Sequence, residues 1–225
     1  MTDMKVVACC AYFHDSGVDA VARHLETAGA QLRLWALDRP LPALERVTLG
    51  QGFLPKWPIM VSLMARVQPD FDYVLFFDDD IVLPPDFCHE FLAEVLSCGA
   101  ALSQPALTPD SFGSHAITRR DPSCRVRITN FVEIGPLVCM TNRFYQLVLP
   151  FLDPISPLGW GYEAQWSHVA KAHGLAQAIV DRCAVRHARP VGINYSRATA
   201  RHQMQLYLEK YGNPMPVPIV YKYIR

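Results

Sequence analysis

The chain has 225 residues, of which 51% are hydrophobic and 19% are charged, so it is long enough to bury one substantial core and is not a disordered chain. Lysine plus arginine and aspartate plus glutamate both total 21. This balance argues against a nucleic-acid groove or an anionic-membrane surface, so a polyanionic ligand must be met by a local site.

The first half of the chain alternates short apolar runs with stretches of helical periodicity. Strands are predicted over residues 6–12, 31–37 and 73–77, and helices over residues 16–29, 56–67 and 85–99. The run Tyr73–Phe77 is continuously apolar, as an inner strand of a parallel sheet should be. This order predicts one compact α/β domain over residues 1–225, with a mostly parallel central sheet flanked by helices.

The second half of the chain is less regular. Residues 103–125 are rich in Pro, Ser, Asp and Arg and are predicted to form a long irregular connection. A strand is expected over residues 128–140, helices over 142–152 and 162–174, and a further strand from residue 178. After a C-terminal helix, the proline-rich stretch 211–225 is expected to wrap the surface without forming an element.

The cysteines and the N-terminus predict a reduced, cytoplasmic protein. The seven cysteines are scattered, no C-x-x-C pair offers a zinc site, and the stretch MTDMKVVACCAYFHD lacks the pattern of a secretory signal. No apolar stretch reaches membrane-spanning length without a charge or a proline, so no transmembrane segment is expected.

Three carboxylates follow the strand at 73–77, in the stretch YVLFFDDDIVLPPDF. In extended geometry residues two apart face the same way, so Asp78 and Asp80 can point at one ion while Asp79 points elsewhere. Two neighbouring carboxylates repel unless a cation neutralises them, and hard cations such as Mg²⁺ or Mn²⁺ prefer such oxygens. α/β sheets also bind ligands at the carboxyl ends of their strands. The alternative is a polar turn that precedes the helix near Pro85.

Two later segments add chemistry. In PLGWGYEAQW, Glu163 follows a flexible turn that contains Trp160, which fits a sugar-contacting loop with a carboxylate at its edge. The alternative for Glu163 is an acid in the first turn of a helix, favoured by the helix dipole. In AIVDRCAVRHARPVG, His187 lies close to Arg186 and Arg189 and is a natural third metal ligand, although an isolated histidine is more often structural.

The blocks KWPIMVSL, DYVLFFDDDI, SQPALTP, HAITRR, FVEIGPLV, GWGYEAQW and IVDRCAVRH occur in this order between Lys56 and about Gly192. In this the chain resembles a largely uncharacterised family of glycosyltransferases, found in plants and bacteria, within the GT-A superfamily. The resemblance implies a Rossmann-like GT-A fold and transfer of a sugar from a nucleotide-diphospho-sugar to a hydroxyl of a glycan or another acceptor. It divides the chain into a nucleotide-binding half (1–105), an acceptor and metal half (106–200) and a C-terminal helix and tail (201–225).

The resemblance also implies roles for individual residues. Asp78, Asp80 and His187 would hold Mn²⁺ or Mg²⁺ against the diphosphate of a UDP-sugar or GDP-sugar, and Glu163 would be the base of an inverting reaction. The residue after Glu163 is Ala164, where inverting relatives often carry a second acid. Expected donor contacts are Ala11, Tyr12, Lys56, Asp78, Asp79, Gln104, His115 and Trp160.

Several of these assignments have structural alternatives. Lys56 could be a solvated lysine at a helix end, and Tyr12 a core aromatic. Arg119 lies in a matching block and is a further candidate contact. Glu133 is a carboxylate in a buried strand, which is either paired structurally or reserved for substrate.

Two other functions use the same acidic strand end. One is a metal-dependent phosphotransferase or nucleotide hydrolase, although the chain has neither a Walker A loop nor a complete G-x-G-x-x-G motif. The other is a catalytically silent module that binds sugar nucleotides, for which Ala164 is a hint. A retaining mechanism is also compatible with this metal site.

Overall fold

A computed structural model describes residues 4–65, 67 and 70–225 as a ten-stranded sheet with helices on both faces. The strands are β1 (Val6–Tyr12), β2 (Gln31–Ala36), β3 (Thr48–Gln51), β4 (Tyr73–Asp78), β5 (Ile81–Val82), β6 (Ala100–Leu107), β7 (Val126–Thr129), β8 (Leu137–Thr141), β9 (Ala176–His187) and β10 (Val220–Ile224). The helices are α1 (Val18–Thr27), α2 (Lys56–Met64), α3 (Phe87–Cys98), α4 (Asn142–Val148), α5 (Tyr162–Ala172) and α6 (Arg197–Tyr211).

The strands follow the order β10-β7-β9-β6-β8-β4-β1-β2-β3, and β5 pairs with β9 off this path. Strands β1, β2, β3 and β4 pair in parallel, as do β6 and β9. Strand β8 lies antiparallel between β4 and β6, while β7 and β5 are antiparallel to β9. Within the described residues, therefore, only β5, β7 and β8 run against the common direction, and the predicted mostly parallel α/β sheet is confirmed.

The core lies in two layers, one on each face of the sheet. Along β4, Leu75 and Phe77 pack into one layer, whereas Val74 and Phe76 pack into the other. Helices α1 and α3 cover the first layer, and α2, α4 and α5 cover the second. Because both faces are covered, an inner strand must be apolar at every position, which explains the unbroken run in the sequence.

Three sequence predictions about strands in the second half of the chain are wrong. Residues 103–125 are not wholly irregular, because their first residues belong to the fully buried β6. The single strand expected over 128–140 is two strands, β7 and β8, separated by a bend. The C-terminal stretch forms β10, which pairs antiparallel with β7 at the edge of the sheet.

Two predicted helices are shorter than expected. Helix α2 ends at Met64, and part of the stretch predicted to follow it lies outside the described residues. Helix α4 ends at Val148, and a 3₁₀ turn over Leu149–Phe151 follows, because Pro150 has no backbone N–H with which to continue the helix. None of the helices in the described part of the chain is long and apolar enough to cross a bilayer.

Candidate active site

The three aspartates stand at the carboxyl end of β4 and face different partners. The backbone N–H of Asp78 donates to the carbonyl of Pro136 at 2.7 Å, which ties the end of β4 to the bend before β8. Asp79 turns away from its neighbours, and its Oδ2 accepts a hydrogen bond from the Phe13 amide at 2.8 Å. Asp78 and Asp80 lie near one another, as predicted, but Asp79 and Asp80 lie in a turn after β4 and not in the extended backbone on which the prediction was based.

Asp78, Asp80 and His187 form a potential metal cluster. One ligand atom from each residue lies within 4.8 Å of the others. His187 reaches the cluster because Ile81 pairs with it in the β5–β9 ladder, and the Ala188 amide donates to the carbonyl of Asp80 at 2.8 Å. Two carboxylates and an imidazole suit Mn²⁺, and the two carboxylates alone suit Mg²⁺, so the residues fit a hard divalent cation.

The imidazole of His187 is oriented by the backbone. Its Nδ1 lies 2.9 Å from the carbonyl of Phe112, which only accepts, so Nδ1 donates and Nε2 faces Asp80 Oδ1 at 3.3 Å. Burial alone would lower the pKa of His187, but the hydrogen bond and charge of Asp80 outweigh it and raise the pKa. Because a metal needs the unprotonated nitrogen, a cation at this site competes with a proton on Nε2.

Two cations balance the three aspartates. Arg189 contacts Asp79 through Nη2, and its Nε lies 3.1 Å from Asp80 Oδ2. Lys56 donates from Nζ to Asp78 Oδ1 at 2.6 Å and to the carbonyl of Ile134 at 3.2 Å. Burial would raise the pKa of Asp80, but His187 and Arg189 together outweigh it and lower the pKa. Burial does raise the pKa of Asp79, to about 6, despite its hydrogen bond from the Phe13 amide.

The glycine at position 135 makes room for one of these ion pairs. A Cβ at that position would lie 2.9 Å from Asp78 Oδ2 and 3.4 Å from Lys56 Nζ. A side chain here would therefore press on the carboxylate and the ammonium together. The close approach explains why a glycine stands in the bend between β7 and β8.

Glu163 lies in the first turn of α5, directly after the Gly-Trp-Gly turn. Its side chain is buried, and its Oε2 accepts a hydrogen bond from the Gly161 amide at 3.1 Å. Burial raises the pKa of Glu163 to about 7, although this amide and the charge of Lys56 oppose the rise. A carboxyl with this pKa exchanges its proton near neutral pH, as a general base must.

Trp160 is held at the edge of the same space. Its indole N–H donates to the hydroxyl of Tyr195 at 3.2 Å, and the two rings meet edge to face. The backbone of Gly159 has a φ of +85° and packs against Trp57, so closely that a Cβ there would overlap the indole nitrogen. The turn that presents Trp160 and Glu163 is therefore fixed by a buried tryptophan.

One cavity of about 830 Å³ brings most of the predicted site residues together. The predicted residues that line it are Ala11, Lys56, Asp78, Asp79, Asp80, His115, Trp160, Glu163 and His187. The His115 ring packs on Phe131 at 4.6 Å between centroids, and burial lowers its pKa. The candidate metal ligands and the candidate base thus line the same cavity.

Two predicted donor contacts lie elsewhere in the described structure. Tyr12 is fully buried, and its hydroxyl lies 2.8 Å from the Thr48 hydroxyl, as in the core alternative. Gln104 is also fully buried in β6, where its Oε1 accepts from the Glu133 amide at 2.5 Å. Neither residue lines the cavity.

Sequence reasoning missed other lining residues. Arg189 belongs to the basic neighbourhood predicted around His187, and it bridges two aspartates. Strand alternation does not predict this contact, because β9 ends at His187 and Arg189 lies in a bend. Tyr195 and the residues around it come from an irregular segment, and no periodic signal in the sequence places them at the cavity.

No protein-family model matches the sequence, and no curated protein matches it at a significant level. The structure is similar to that of S. aureus TarS 1–349, with a TM-score of 0.62 and 10% identity over 95% of this chain and 67% of that one. The TarS complex with UDP-GlcNAc gives a TM-score of 0.63, 10% identity and coverages of 95% and 68%. GalNAc-T7 with UDP, GalNAc and Mn²⁺ gives a TM-score of 0.65 and 9% identity over 92% of this chain. The chain spans about half of GalNAc-T7, 48% of its length. These neighbours have the GT-A glycosyltransferase fold, and the expected fold is confirmed.

Proposed function

We propose that the chain is a metal-dependent glycosyltransferase that moves a sugar from a nucleotide-diphospho-sugar to an acceptor hydroxyl. The observation that carries this proposal is the shared cavity, in which Asp78, Asp80 and His187 form a metal cluster and Glu163 supplies a carboxyl of raised pKa. The GT-A fold adds support. One neighbouring structure contains UDP and Mn²⁺ and another contains UDP-GlcNAc, which supports a UDP-sugar donor with Mn²⁺; a GDP-sugar and Mg²⁺ are the alternatives.

The donor end of the cavity is built for a diphosphate. A divalent cation, when bound, stabilises negative charge on the departing nucleoside diphosphate as a Lewis acid. Lys56 lines the same cavity and adds an ammonium, hydrogen-bonded to Asp78, as a candidate partner for a phosphate oxygen. Arg189 keeps Asp79 and Asp80 in place by pairing with both. These residues bind and orient the donor; Trp160 offers a ring surface to a sugar.

Glu163 is the proposed base. A carboxylate at hydrogen-bond distance from the acceptor hydroxyl takes its proton as the oxygen attacks the anomeric carbon. Because the Gly161 amide and the helix dipole stabilise the ionised form, Glu163 can be anionic at neutral pH despite its burial. A single displacement of this kind inverts the anomeric configuration.

Cysteine usage supports the proposed cytoplasmic location. All seven cysteines are free and none is exposed, and burial raises the pKa of the thiols that it affects most, such as Cys88 and Cys139, to about 12. Thiols of this kind behave as small core residues. The acceptor is proposed only as a glycan or another hydroxyl compound.

The test is a titration of UDP and GDP into the protein with and without Mn²⁺, followed by supply of UDP-sugars and GDP-sugars and assay for sugar release or transfer. Asp80→Asn is expected to abolish Mn²⁺-dependent nucleotide binding, because it removes a ligand charge. Asp70→Asn is the control, since Asp70 is an exposed acid paired with Lys5.

The outcomes separate the three candidate functions. Nucleotide binding that needs Mn²⁺, followed by sugar transfer, supports the glycosyltransferase. Binding without turnover indicates a silent module, and phosphate release without a sugar requirement indicates a nucleotide hydrolase. Equal Mn²⁺-dependent affinity in wild type and Asp80→Asn would refute the metal assignment.

A further inference from the structure

Glu133 is a buried carboxyl in the cavity to which neither the metal cluster nor the base assigns a role. It lies in the bend between β7 and β8, and its side chain is 9% exposed. Its Oε2 has no hydrogen-bond partner within the described structure, although the residue lines the cavity. Buried carboxyl oxygens almost always have partners, so an unpaired one in a cavity wall points to a ligand.

Glu133 is held rigidly rather than left there by a loose loop. Its backbone N–H donates to Oε1 of the fully buried Gln104 at 2.5 Å, which anchors the bend to β6. Gln104, which the sequence suggested as a donor contact, thus positions the bend from behind. A binding group on a rigid support keeps its direction when no ligand is present.

Within the described residues no lysine or arginine pairs with the carboxyl of Glu133, whereas two other buried acids have arginine partners. Glu94 is 6% exposed and pairs with Arg125 at 3.4 Å and Arg182 at 3.6 Å. Asp181 is fully buried and accepts two hydrogen bonds from Arg127. The fold therefore neutralises its structural acids with arginine and does not do so for Glu133.

The surroundings of Glu133 indicate which part of a ligand it meets. Glu133 lines the same cavity as Glu163, Asp78 and His187, and the charges of these residues act on it. The next residues of its bend contact both groups, because the Ile134 amide hydrogen-bonds Glu163 and Gly135 packs against Asp78 Oδ2. The bend therefore spans the interval from the candidate base to the candidate metal ligands. In a direct displacement the sugar of the donor occupies this interval, because it is bonded to the metal-bound diphosphate and attacked by the activated acceptor.

We propose that Glu133 hydrogen-bonds a hydroxyl group of the donor sugar and so helps to select which sugar the protein accepts. This inference rests on the proposed function. Burial, followed by the charge of Glu163, raises the pKa of Glu133 to about 8. The neutral carboxyl that prevails at neutral pH both donates and accepts, which matches a sugar hydroxyl.

The test compares nucleotides with sugar nucleotides by isothermal titration in Mn²⁺. Wild type, Glu133→Gln, Glu133→Ala and Glu94→Gln are titrated with UDP and GDP, and then with UDP-glucose, UDP-galactose, UDP-GlcNAc, UDP-GalNAc and GDP-mannose. In Glu133→Ala, affinity for UDP or GDP should stay within about twofold of wild type, whereas affinity for the preferred sugar nucleotide should fall about 10- to 100-fold and the preference among sugars should narrow. Glu94 is a matched buried acid outside the cavity, so Glu94→Gln should bind every one of these ligands with wild-type affinity.

Three results would overturn the proposal. The first is wild-type affinity of Glu133→Ala for every sugar nucleotide, and the second is an equal loss of affinity for nucleotides and sugar nucleotides, which indicates a structural role. The third is a wild type that binds sugar nucleotides no more tightly than the parent nucleotides. If wild type binds neither UDP nor GDP with Mn²⁺, the proposed function itself fails, and this inference falls with it. Glu133→Leu, which keeps much of the side-chain volume but neither donates nor accepts a hydrogen bond, carries the test if Glu133→Ala does not fold. Glu133→Gln, whose amide both donates and accepts, should keep most of the affinity for the preferred sugar nucleotide.

Discussion

At the scale of single residues, Glu163 combines two demands that oppose each other. A base must ionise, yet Glu163 is among the most buried acids of the cavity, and burial disfavours its charge. Backbone amides oppose this effect, namely those of Glu163 itself, of Ile134 and of Gly161, which donates at 3.1 Å to Oε2. Catalytic acids and bases are commonly tuned in this way.

We expect Glu163→Gln to keep donor binding and to lose transfer. The amide has the same shape but takes no proton, so the rate of sugar transfer should fall about 10²- to 10⁴-fold. Titration with UDP and Mn²⁺ measures the first property, and product formation from the preferred sugar nucleotide measures the second. Transfer at the wild-type rate would show that another group is the base.

The pH dependence of stability tests the raised pKa of Glu163 independently of any transfer assay. Its pKa of about 7 in the folded chain lies above that of an unfolded glutamate, so the folded state binds this proton more tightly. Stability from this group is therefore complete at acid pH and is lost as pH rises from the unfolded pKa to about 7. In metal-free protein, Glu163→Gln should raise Tm at pH 8 by roughly 5 °C and change it little at pH 4.

Glu94→Gln is the control for this comparison of Tm values at two pH values. Glu94→Gln should lower Tm at both pH values, because it leaves Arg125 and Arg182 without their buried partner. A Glu163→Gln variant that is less stable than wild type at pH 8 would contradict the raised pKa.

The Gly159→Ala substitution tests how the Gly-Trp-Gly turn is fixed. The new Cβ would overlap the indole of Trp57, a buried residue of α2. We expect a loss of about 2–4 kcal/mol in the free energy of unfolding, from strain at positive φ and from displaced packing. Gly29→Ala is the matched control, because Gly29 has a similar φ of +88° with nothing within 4 Å of its Cβ. The free energy of unfolding of both variants is measured by urea unfolding. Equal losses in Gly159→Ala and Gly29→Ala would show that backbone strain alone is the cause and that contact with Trp57 adds nothing.

Much of the site could be predicted from the sequence because its chemistry is local. Asp78, Asp80 and His187 are adjacent to strand ends, where alternation and strand order decide which way side chains face. The positions of the Tyr12 and Gln104 side chains could not be predicted in the same way. A buried strand holds a polar side chain only where a hydrogen-bond partner is available, and the sequence does not show that partner. Tyr12 finds Thr48, and Gln104 finds the backbone of Glu133; neither partner is visible without the fold.

At the scale of elements, the strands that sequence reasoning missed are the ones whose composition resembles loops. Strand β6 contains Ser103, Gln104 and Pro105, yet all its residues are buried. Pro105 is accommodated beside a register shift in the pairing with β9, where a missing backbone donor costs little. Strand β10 follows a proline-rich stretch and forms only because β7 offers a free edge. Tertiary pairing, not propensity, decides both strands.

At the scale of the whole molecule, the alternation of apolar runs and helices in the sequence predicts the parallel part of the sheet. It does not predict that β8 runs antiparallel. The local pattern of an inner strand is the same in both directions, so its direction depends on the length and path of the connection before it. The division into a nucleotide-binding half (1–105), an acceptor and metal half (106–200) and a C-terminal helix and tail (201–225) stays a prediction. The cavity draws on residues from Ala11 to Pro218, so nearly the whole chain contributes to it.

Removal of residues 213–225 tests that contribution. Met215, Pro216 and Pro218 line the cavity, and β10 covers the edge of β7. We expect the shortened chain to unfold at a Tm lower by about 5 °C or more, because the strand pairing and its apolar contacts are lost. Val217→Ser is the control, since this side chain is 77% exposed and its replacement should leave Tm unchanged. An unaltered Tm after truncation would show that β10 adds nothing to the fold.

The two-residue ladder between β5 and β9 has one more consequence. Ile81 stands opposite His187, and side chains along a strand alternate between faces. A slip of one position would present Arg186 or Ala188 to the aspartates and turn the imidazole outward, while most of the molecule stayed intact. The candidate metal site therefore depends on the register of β9 as well as on the identity of its residues. Insertions between Cys183 and Arg186, which are not ligands themselves, should be among the most damaging changes to metal affinity.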